Sequence, residues 1–253
     1  MADGAQRSDT SDESEPPAIA SSSEFSETAL VQKVTRHVKE NMSGSSSCHD
    51  FDHVMRVLGL SRIIATSPLA KTKTAASKWN PLVLTLGALL HHIGDKGYIR
   101  ANERIVGTVY QLLLSFGTPI PVAEQVQLLV NYVPYSAEME SQRAREHFRK
   151  LAQEIPELNI IQDADRLDTI GSIGVGRAFA YSGAPLWKPR PLQRTIAYFT
   201  ETLEGLERSM KTPEGKRLAL ERTNRLKLFR GWWEEEMALA KSGLSRDESN
   251  TGV

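Results

Sequence analysis

Residues 80–94 read NPLVLTLGALLHHIG, and this stretch carries the signals of a buried helix. Asn80 can cap the helix, Pro81 suits its first position, and Gly94 suits the left-handed residue that follows a last turn. The apolar residues between these ends cover nearly every face of the helix: Leu82, Val83, Leu84, Leu86, Ala88, Leu89, Leu90 and Ile93. A helix that is apolar on all sides is enclosed by other elements, so this stretch predicts the centre of a helical core.

The helical pattern extends outward from this stretch along most of the chain. From about residue 26 to 240, apolar residues recur mostly at three- and four-residue spacings, and no stretch sustains a period of two. The sequence therefore predicts an all-α protein with a single helical domain over residues 25–241. We expect its helices at 26–41, 50–66, 81–93, 100–116, 120–133, 137–154, 158–181, 191–210 and 213–240.

The two ends of the chain differ from this domain in composition. Residues 1–24 are rich in Ser, Asp, Glu and Pro and contain almost nothing to bury. Ordering them would cost conformational entropy without a compensating gain, so we predict a disordered acidic tail. Residues 242–253 are expected to form a flexible C-terminal tail.

Composition limits the classes of partner and compartment. The 31 basic residues balance the 31 acidic ones, so no global field favours nucleic acid or an anionic membrane. The N-terminus lacks the segments of a secretory signal, and no apolar stretch reaches the roughly 18 residues that span a bilayer. The single cysteine, Cys48, excludes an intrachain disulfide and fits a reducing compartment. We predict a cytoplasmic protein, with the nucleus as the alternative, that binds neither nucleic acid nor membrane; its oligomeric state is left open.

Three histidines lie where the apolar pattern predicts buried positions. His53 shares a helical face with three apolar residues: Val57, Leu60 and Ile64. His91 and His92 end the buried helix, and the negative end of its dipole favours a nearby cation. Burying imidazoles is costly unless something satisfies them, and metal coordination would do so. Taken alone, His53 is better explained as a hydrogen-bonded core residue, and His49 as a surface or capping residue.

A third polar group interrupts the apolar face of a later helix. Residues 163–168 read DADRLD, and Asp165 and Asp168, three positions apart, share a face while Arg166 projects about a quarter-turn away. The simplest alternative is a solvated charged strip with one internal ion pair.

Three glycines follow this run: Gly171, Gly174 and Gly176. They imitate a glycine-rich phosphate loop, but no strand precedes them, and the dinucleotide motif has little meaning outside a βαβ unit. We interpret them as residues that permit close helix packing.

Together, the three polar groups resemble the H…HD…D signature of the HD-domain superfamily of metal-dependent phosphohydrolases. The matching stretches are HDFDHVMRV (49–57), ALLHHIGDK (88–96) and QDADRLDTIG (162–171), and the resemblance continues through RAFAY (177–181) and TPEGKRLA (212–219). It covers about residues 26–240 and looks most like the small stand-alone bacterial and fungal HD hydrolases, some of which resemble nucleotide pyrophosphohydrolases.

The resemblance implies an HD-domain fold with a divalent metal ion. Its ligands would be His53, His91 and Asp165, and His92 stands where the family pattern has aspartate. Imidazole suits Zn²⁺, Fe²⁺, Co²⁺ or Ni²⁺, whereas Mg²⁺ and Mn²⁺ prefer oxygen ligands. Either His92 joins the set and shifts metal preference, or it points away and leaves three protein ligands. All six metals stay open at this stage.

The implied activity is hydrolysis of a small-molecule phosphate substrate, a nucleotide or a related phosphate ester. Asp95 and Asp168 are expected to transfer protons or to orient ligands. The basic residues expected to neutralise substrate phosphate are Lys96, Arg56 and Arg166. The alternative is a catalytically impaired HD-fold protein that binds a nucleotide or a protein partner, because losing one ligand of a compact site lowers metal affinity.

Overall fold

The structure, a computed structural model, describes residues 25–42, 50–71, 79–93, 108–183 and 191–248. Over these ranges the chain is helical and contains no strand, so the all-α prediction is confirmed. The helices are α1 (Glu27–Asn41), α2 (Phe51–Thr66), α3 (Pro81–Leu90), α4 (Thr108–Ser115), α5 (Ile120–Tyr132), α6 (Tyr135–Met139), α7 (Gln142–Glu154), α8 (Pro156–Asp168), α9 (Gly171–Ser182), α10 (Leu192–Glu201) and α11 (Pro213–Glu248). None of these helices combines the length and the apolar character that crossing a bilayer requires.

Helix α3 lies at the centre of the core, as its sequence predicts. The Asn80 side chain accepts hydrogen bonds from the backbone amides of Leu82 and Val83, and Pro81 occupies the first turn. The helix packs against α1, α2, α5 and α8, which enclose it on several sides. It ends at Leu90, three residues earlier than predicted, so the histidine doublet lies in the turn that follows the helix.

Helices α2 and α8 pack against each other, and α3 contacts both. Helix α2 begins at Phe51 because the side chain of Asp50 caps it and accepts a hydrogen bond from the His53 amide at 2.8 Å. Apolar residues form most of the interior faces: Val54, Val57, Leu58, Leu60 and Ile64 on α2, and Ile160, Ile161, Ala164 and Leu167 on α8. This packing brings the polar groups on the three elements to one end of the core.

The predicted helix over 158–181 is two helices separated by a turn at Thr169 and Ile170. Gly171 begins α9 with a φ of +77°, a backbone conformation that residues other than glycine rarely adopt. A Cβ atom at Gly174 would collide with the Thr169 carbonyl, so this glycine does permit close packing. Gly176 has open space beside it, which corrects the packing interpretation for that residue.

Other helix predictions also change. The helix predicted over 137–154 is two helices, α6, which begins at Tyr135, and α7. The helix predicted over 191–210 is α10 followed by a 3₁₀ segment at Leu203–Ser209. Helix α11 continues to Glu248, so it enters the segment that the sequence assigned to a flexible tail. Of the predicted helix over 100–116, residues 108–115 form α4, and residues 100–107 lie outside the described ranges.

Replacing Gly171 and Gly231 by alanine is expected to change stability in opposite directions. Gly171→Ala forces a Cβ onto a left-handed backbone and places it 3.2 Å from the Arg222 side chain, so we expect a loss of about 1–2 kcal/mol. Gly231 lies within α11 with nothing near its missing Cβ, so Gly231→Ala is expected to stabilise the fold by up to about 1 kcal/mol. Urea unfolding measures both free energies. A shift of the same sign in the two variants would contradict this account.

Candidate metal centre

Three histidine nitrogens and one carboxylate oxygen converge at the end of the core. The Nε2 atom of His53 lies 2.8 Å from Nε2 of His92 and 3.3 Å from Nε2 of His91. The Oδ1 atom of Asp165 lies 3.5 Å from Nε2 of His53 and 3.9 Å from Nε2 of His91. Two ligand atoms that each lie about 2.1 Å from one ion are separated by roughly 3–4 Å. These four separations are therefore of the size that a shared divalent ion requires.

The four residues come from three elements that are distant in sequence. His53 lies in the first turn of α2, His91 and His92 follow α3, and Asp165 lies on α8. One ligand atom from each residue lies within 4.8 Å of those of the others. His92 points into this cluster and not away from it, so the arrangement offers four ligands. We refer to His53, His91, His92 and Asp165 as the His/Asp cluster.

Hydrogen bonds on the far side of two imidazole rings orient their nitrogens. Nδ1 of His91 lies 2.7 Å from the Ala88 carbonyl oxygen, which can only accept, so this nitrogen donates. Nδ1 of His53 donates in the same way to Oδ2 of Asp168 at 2.7 Å. Each donation leaves a lone pair on the Nε2 atom that faces the cluster. This pairing of a metal-facing nitrogen with a fixed partner behind the ring is typical of metal-ligating histidines.

Burial keeps these two histidines in the form that can ligate a metal. Burial lowers the pKa of His53, although its hydrogen bond to Asp168 opposes the shift. Burial lowers the pKa of His91 well below its ordinary value, and the neighbouring His92 adds to the effect. Both rings are therefore neutral near pH 7, and a neutral imidazole is the form that donates a lone pair to a cation.

Asp168 lies behind the cluster and holds His53 in place. Its side chain is 1% exposed. Oδ1 accepts from Nε of Arg56 at 2.8 Å, and Oδ2 accepts from Nη2 of Arg56 at 3.1 Å, from Nη1 of Arg177 at 2.9 Å and from His53. Burial alone would raise the pKa of Asp168, but the hydrogen bonds from His53 and Arg56 lower it below its ordinary value. Of the two roles predicted for Asp168, the geometry favours orientation of a ligand over proton transfer to a substrate.

Two of the basic residues predicted to neutralise substrate phosphate, Arg56 and Arg166, form ion pairs with other side chains. Arg56 forms a bidentate ion pair with Asp168. Arg166 is buried, donates to the Ser209 carbonyl at 2.9 Å and pairs with Glu138 at 2.5 Å. Neighbouring positions on a helix point about 100° apart, so Arg166 faces α6 while Asp165 faces the cluster. The structure places the Arg166 side chain against Glu138 and Ser209, and its contact with substrate phosphate stays a prediction.

Three residues named from the sequence lie outside the described ranges. Asp95, Lys96 and His49 are outside the described residues, so their roles stay predictions.

The sequence did not assign a role to Arg177, which donates to both the carbonyl and the carboxylate of Asp168. Its motif was noted in the sequence, but the turn at Thr169 and Ile170 shifts the helical phase between α8 and α9, so spacing alone could not place Arg177 beside Asp168.

Comparisons with known proteins give relatives of the same fold. No protein-family model matches the chain. It is 29% identical over 198 residues to the uncharacterized protein YpgQ of Bacillus subtilis (strain 168), an alignment that covers 77% of this chain and 87% of that protein. The crystal structure of Bacillus subtilis YpgQ in complex with ADP superposes with a TM-score of 0.62 and 25% identity, covering 81% of this chain and 97% of that one.

A second solved structure carries a functional description. An HD-superfamily hydrolase from Bacillus thuringiensis superposes with a TM-score of 0.53 and 22% identity, covering 84% of this chain and 99% of that one. The chain shares the fold of these proteins. At this level of identity the second comparison establishes the fold alone, so any activity has to be argued from the His/Asp cluster itself.

Proposed function

We propose that the chain is a metal-dependent phosphohydrolase of the HD-domain type that acts on a nucleotide or a related phosphate ester. The observation that carries this proposal is the convergence of three imidazole nitrogens and one carboxylate oxygen from α2, α8 and the turn after α3. Two likenesses support it: the fold of an HD-superfamily hydrolase, and that of YpgQ, which was crystallised with ADP.

The chemistry of the donor set fits a divalent transition metal. His53, His91, His92 and Asp165 would hold the ion, and three nitrogens with one oxygen favour Zn²⁺, Fe²⁺, Co²⁺ or Ni²⁺ over Mg²⁺. A bound ion would supply a water of lowered pKa and would polarise a phosphoryl oxygen of the substrate.

The surrounding residues set the geometry of this cluster. Asp168 fixes the ring of His53, and the Ala88 carbonyl fixes the ring of His91, so both nitrogens are oriented before any ligand arrives. Arg56 and Arg177 keep the Asp168 carboxylate charged in its buried position. The Asp165 side chain is 20% exposed, so the cluster is open to solvent on the α8 side. A phosphate ester can approach the cluster from that side.

Metal analysis and a nucleotide panel test the proposal. The purified protein is expected to retain a divalent metal and to release phosphate or pyrophosphate from nucleotides with added Mn²⁺, Co²⁺ or Ni²⁺. His92→Asp restores an oxygen ligand and is expected to shift the preferred metal toward Mn²⁺ and Mg²⁺. His147→Asp, a change at an exposed histidine on α7, serves as the matched control and is expected to alter neither property.

Each outcome of this comparison has a defined meaning. Absence of both metal and product from the wild type and from His92→Asp would overturn the proposal. Turnover by His92→Asp alone would support the alternative of a catalytically impaired HD-fold protein. Turnover by both forms would show that the histidine mainly changes the choice of metal.

A further inference from the structure

A pocket of about 490 Å³ lies between α9 and α10, next to the Asp168 network. Its volume falls within the range of roughly 300–1,000 Å³ that is usual for sites that bind small molecules. It is lined by residues from α9, α10, the turn after α8 and the 3₁₀ segment at Leu203–Ser209, and no member of the His/Asp cluster belongs to its lining. The pocket is therefore a separate feature of the fold.

The charge of the pocket favours an anion. Two arginines line it, and no carboxylate is among the described lining residues. Arg177 is 11% exposed and lies at depth, whereas Arg194 is 57% exposed and lies at the rim. Glu201 pairs with Arg194 at 2.9 Å, but both side chains are more than half exposed, and ion pairs of that kind contribute little. An anionic ligand can compete for Arg194.

Aromatic side chains complete the pocket. Tyr181 and Tyr198 line it and are exposed, so their rings are accessible to a ligand. The hydroxyl groups of Ser182 and Thr195, which lie 2.8 Å apart, add polar contacts. Guanidinium groups match phosphate oxygens in geometry and charge, and tyrosine rings offer flat apolar surface to a planar ring.

From these features we propose that the pocket between α9 and α10 binds a nucleotide. Its phosphate groups lie between Arg177 and Arg194, and its base rests against Tyr181 or Tyr198. The proposal uses none of the metal ligands, so it stands independently of the proposed hydrolysis. Arg177 also contacts Asp168, which in turn orients His53, so a ligand in this pocket is linked to the His53 ring through Arg177 and Asp168.

Calorimetric titration of the full chain with ADP after metal removal by EDTA tests the site without turnover. The wild type is expected to bind ADP, and Arg194→Gln is expected to bind it about tenfold more weakly because a charge-assisted contact is lost. Glu201→Gln releases Arg194 and is expected to tighten binding. Arg143→Gln, a change at an exposed arginine on α7, is the matched control and should leave binding unchanged. Arg177 is unsuitable for this test because its loss would also disturb Asp168.

Fragments of ADP test the two halves of the pocket one at a time. Adenosine and pyrophosphate are each expected to bind more weakly than ADP, and Tyr198→Leu should weaken adenosine but leave pyrophosphate unchanged. Failure of the metal-free protein to bind ADP, or equal affinity in Arg194→Gln, would overturn the proposal. Binding that persists in a protein without turnover would contradict the hydrolase proposal alone.

Kinetic measurements decide whether the nucleotide in this pocket is the substrate or a second ligand. In metal-loaded protein, a higher KM with unchanged kcat in Arg194→Gln identifies the bound nucleotide as the substrate. An unchanged KM with a weaker response to added ADP identifies a second nucleotide. Either result supports the pocket as a nucleotide site.

Discussion

His53→Ala is expected to abolish tight binding of a divalent ion and to lower nucleotide hydrolysis by about three orders of magnitude. The Nε2 atom of His53 lies within 3.5 Å of a ligand atom of each of the other three residues, so its removal opens the middle of the cluster. Metal catalysis contributes several kcal/mol, and each 1.36 kcal/mol is a factor of ten in rate. Elemental analysis and initial rates measure the two effects.

The matched control for this change is His147→Ala. His147 lies on the exposed face of α7, where its ring is hydrogen-bonded to the Tyr132 hydroxyl at 3.0 Å. This variant should retain metal and turnover. Circular dichroism confirms that both variants keep their helices, and Asp165→Asn provides a second test at the partly exposed ligand. A His53→Ala protein that is folded and still binds metal as the wild type does would refute the His/Asp cluster as the metal centre.

Asp168→Asn is expected to destabilise the protein by about 3 kcal/mol, with or without metal. The change removes the charge that Arg56, Arg177 and His53 share, and breaking a buried ion pair is costly because the remaining charges lose their compensation. For a chain of this size we expect a fall in melting temperature of roughly 6–12 °C. Differential scanning calorimetry in EDTA and in metal-containing buffer measures the effect.

Asp165→Asn is the informative comparison for this second change. Asp165 is partly exposed and faces the cluster, so its neutralisation should have little effect in EDTA. In metal-containing buffer it should lower the melting temperature, because a ligand that binds only the folded state stabilises that state. If Asp165→Asn and Asp168→Asn behaved identically in both buffers, the assignment of one to metal binding and the other to support would fail.

Much of the fold follows from local sequence signals. The cap at Asn80, the proline after it and the unbroken apolar run specify α3, because capping and burial act within a few residues of each other. The same periodicity predicts α1, α2 and α5 to within a residue or two. The sequence does not predict the break between α8 and α9 because a glycine can lie within a helix, and only the observed φ of Gly171 shows that this one begins a new helix.

The candidate site also combines features that the sequence predicts with features that it does not. The sequence alone determined which residue types lie on interior helical faces, and so singled out His53, the doublet at 91 and 92, and the aspartates of α8. It could not decide that Asp165 faces the cluster, that Asp168 supports His53 across 115 positions of sequence, or that Arg166 turns toward Glu138. Those outcomes depend on how α2, α3 and α8 rotate and cross as they pack. That rotation is set by the contacts of the whole core, and periodicity within one helix carries no information about it.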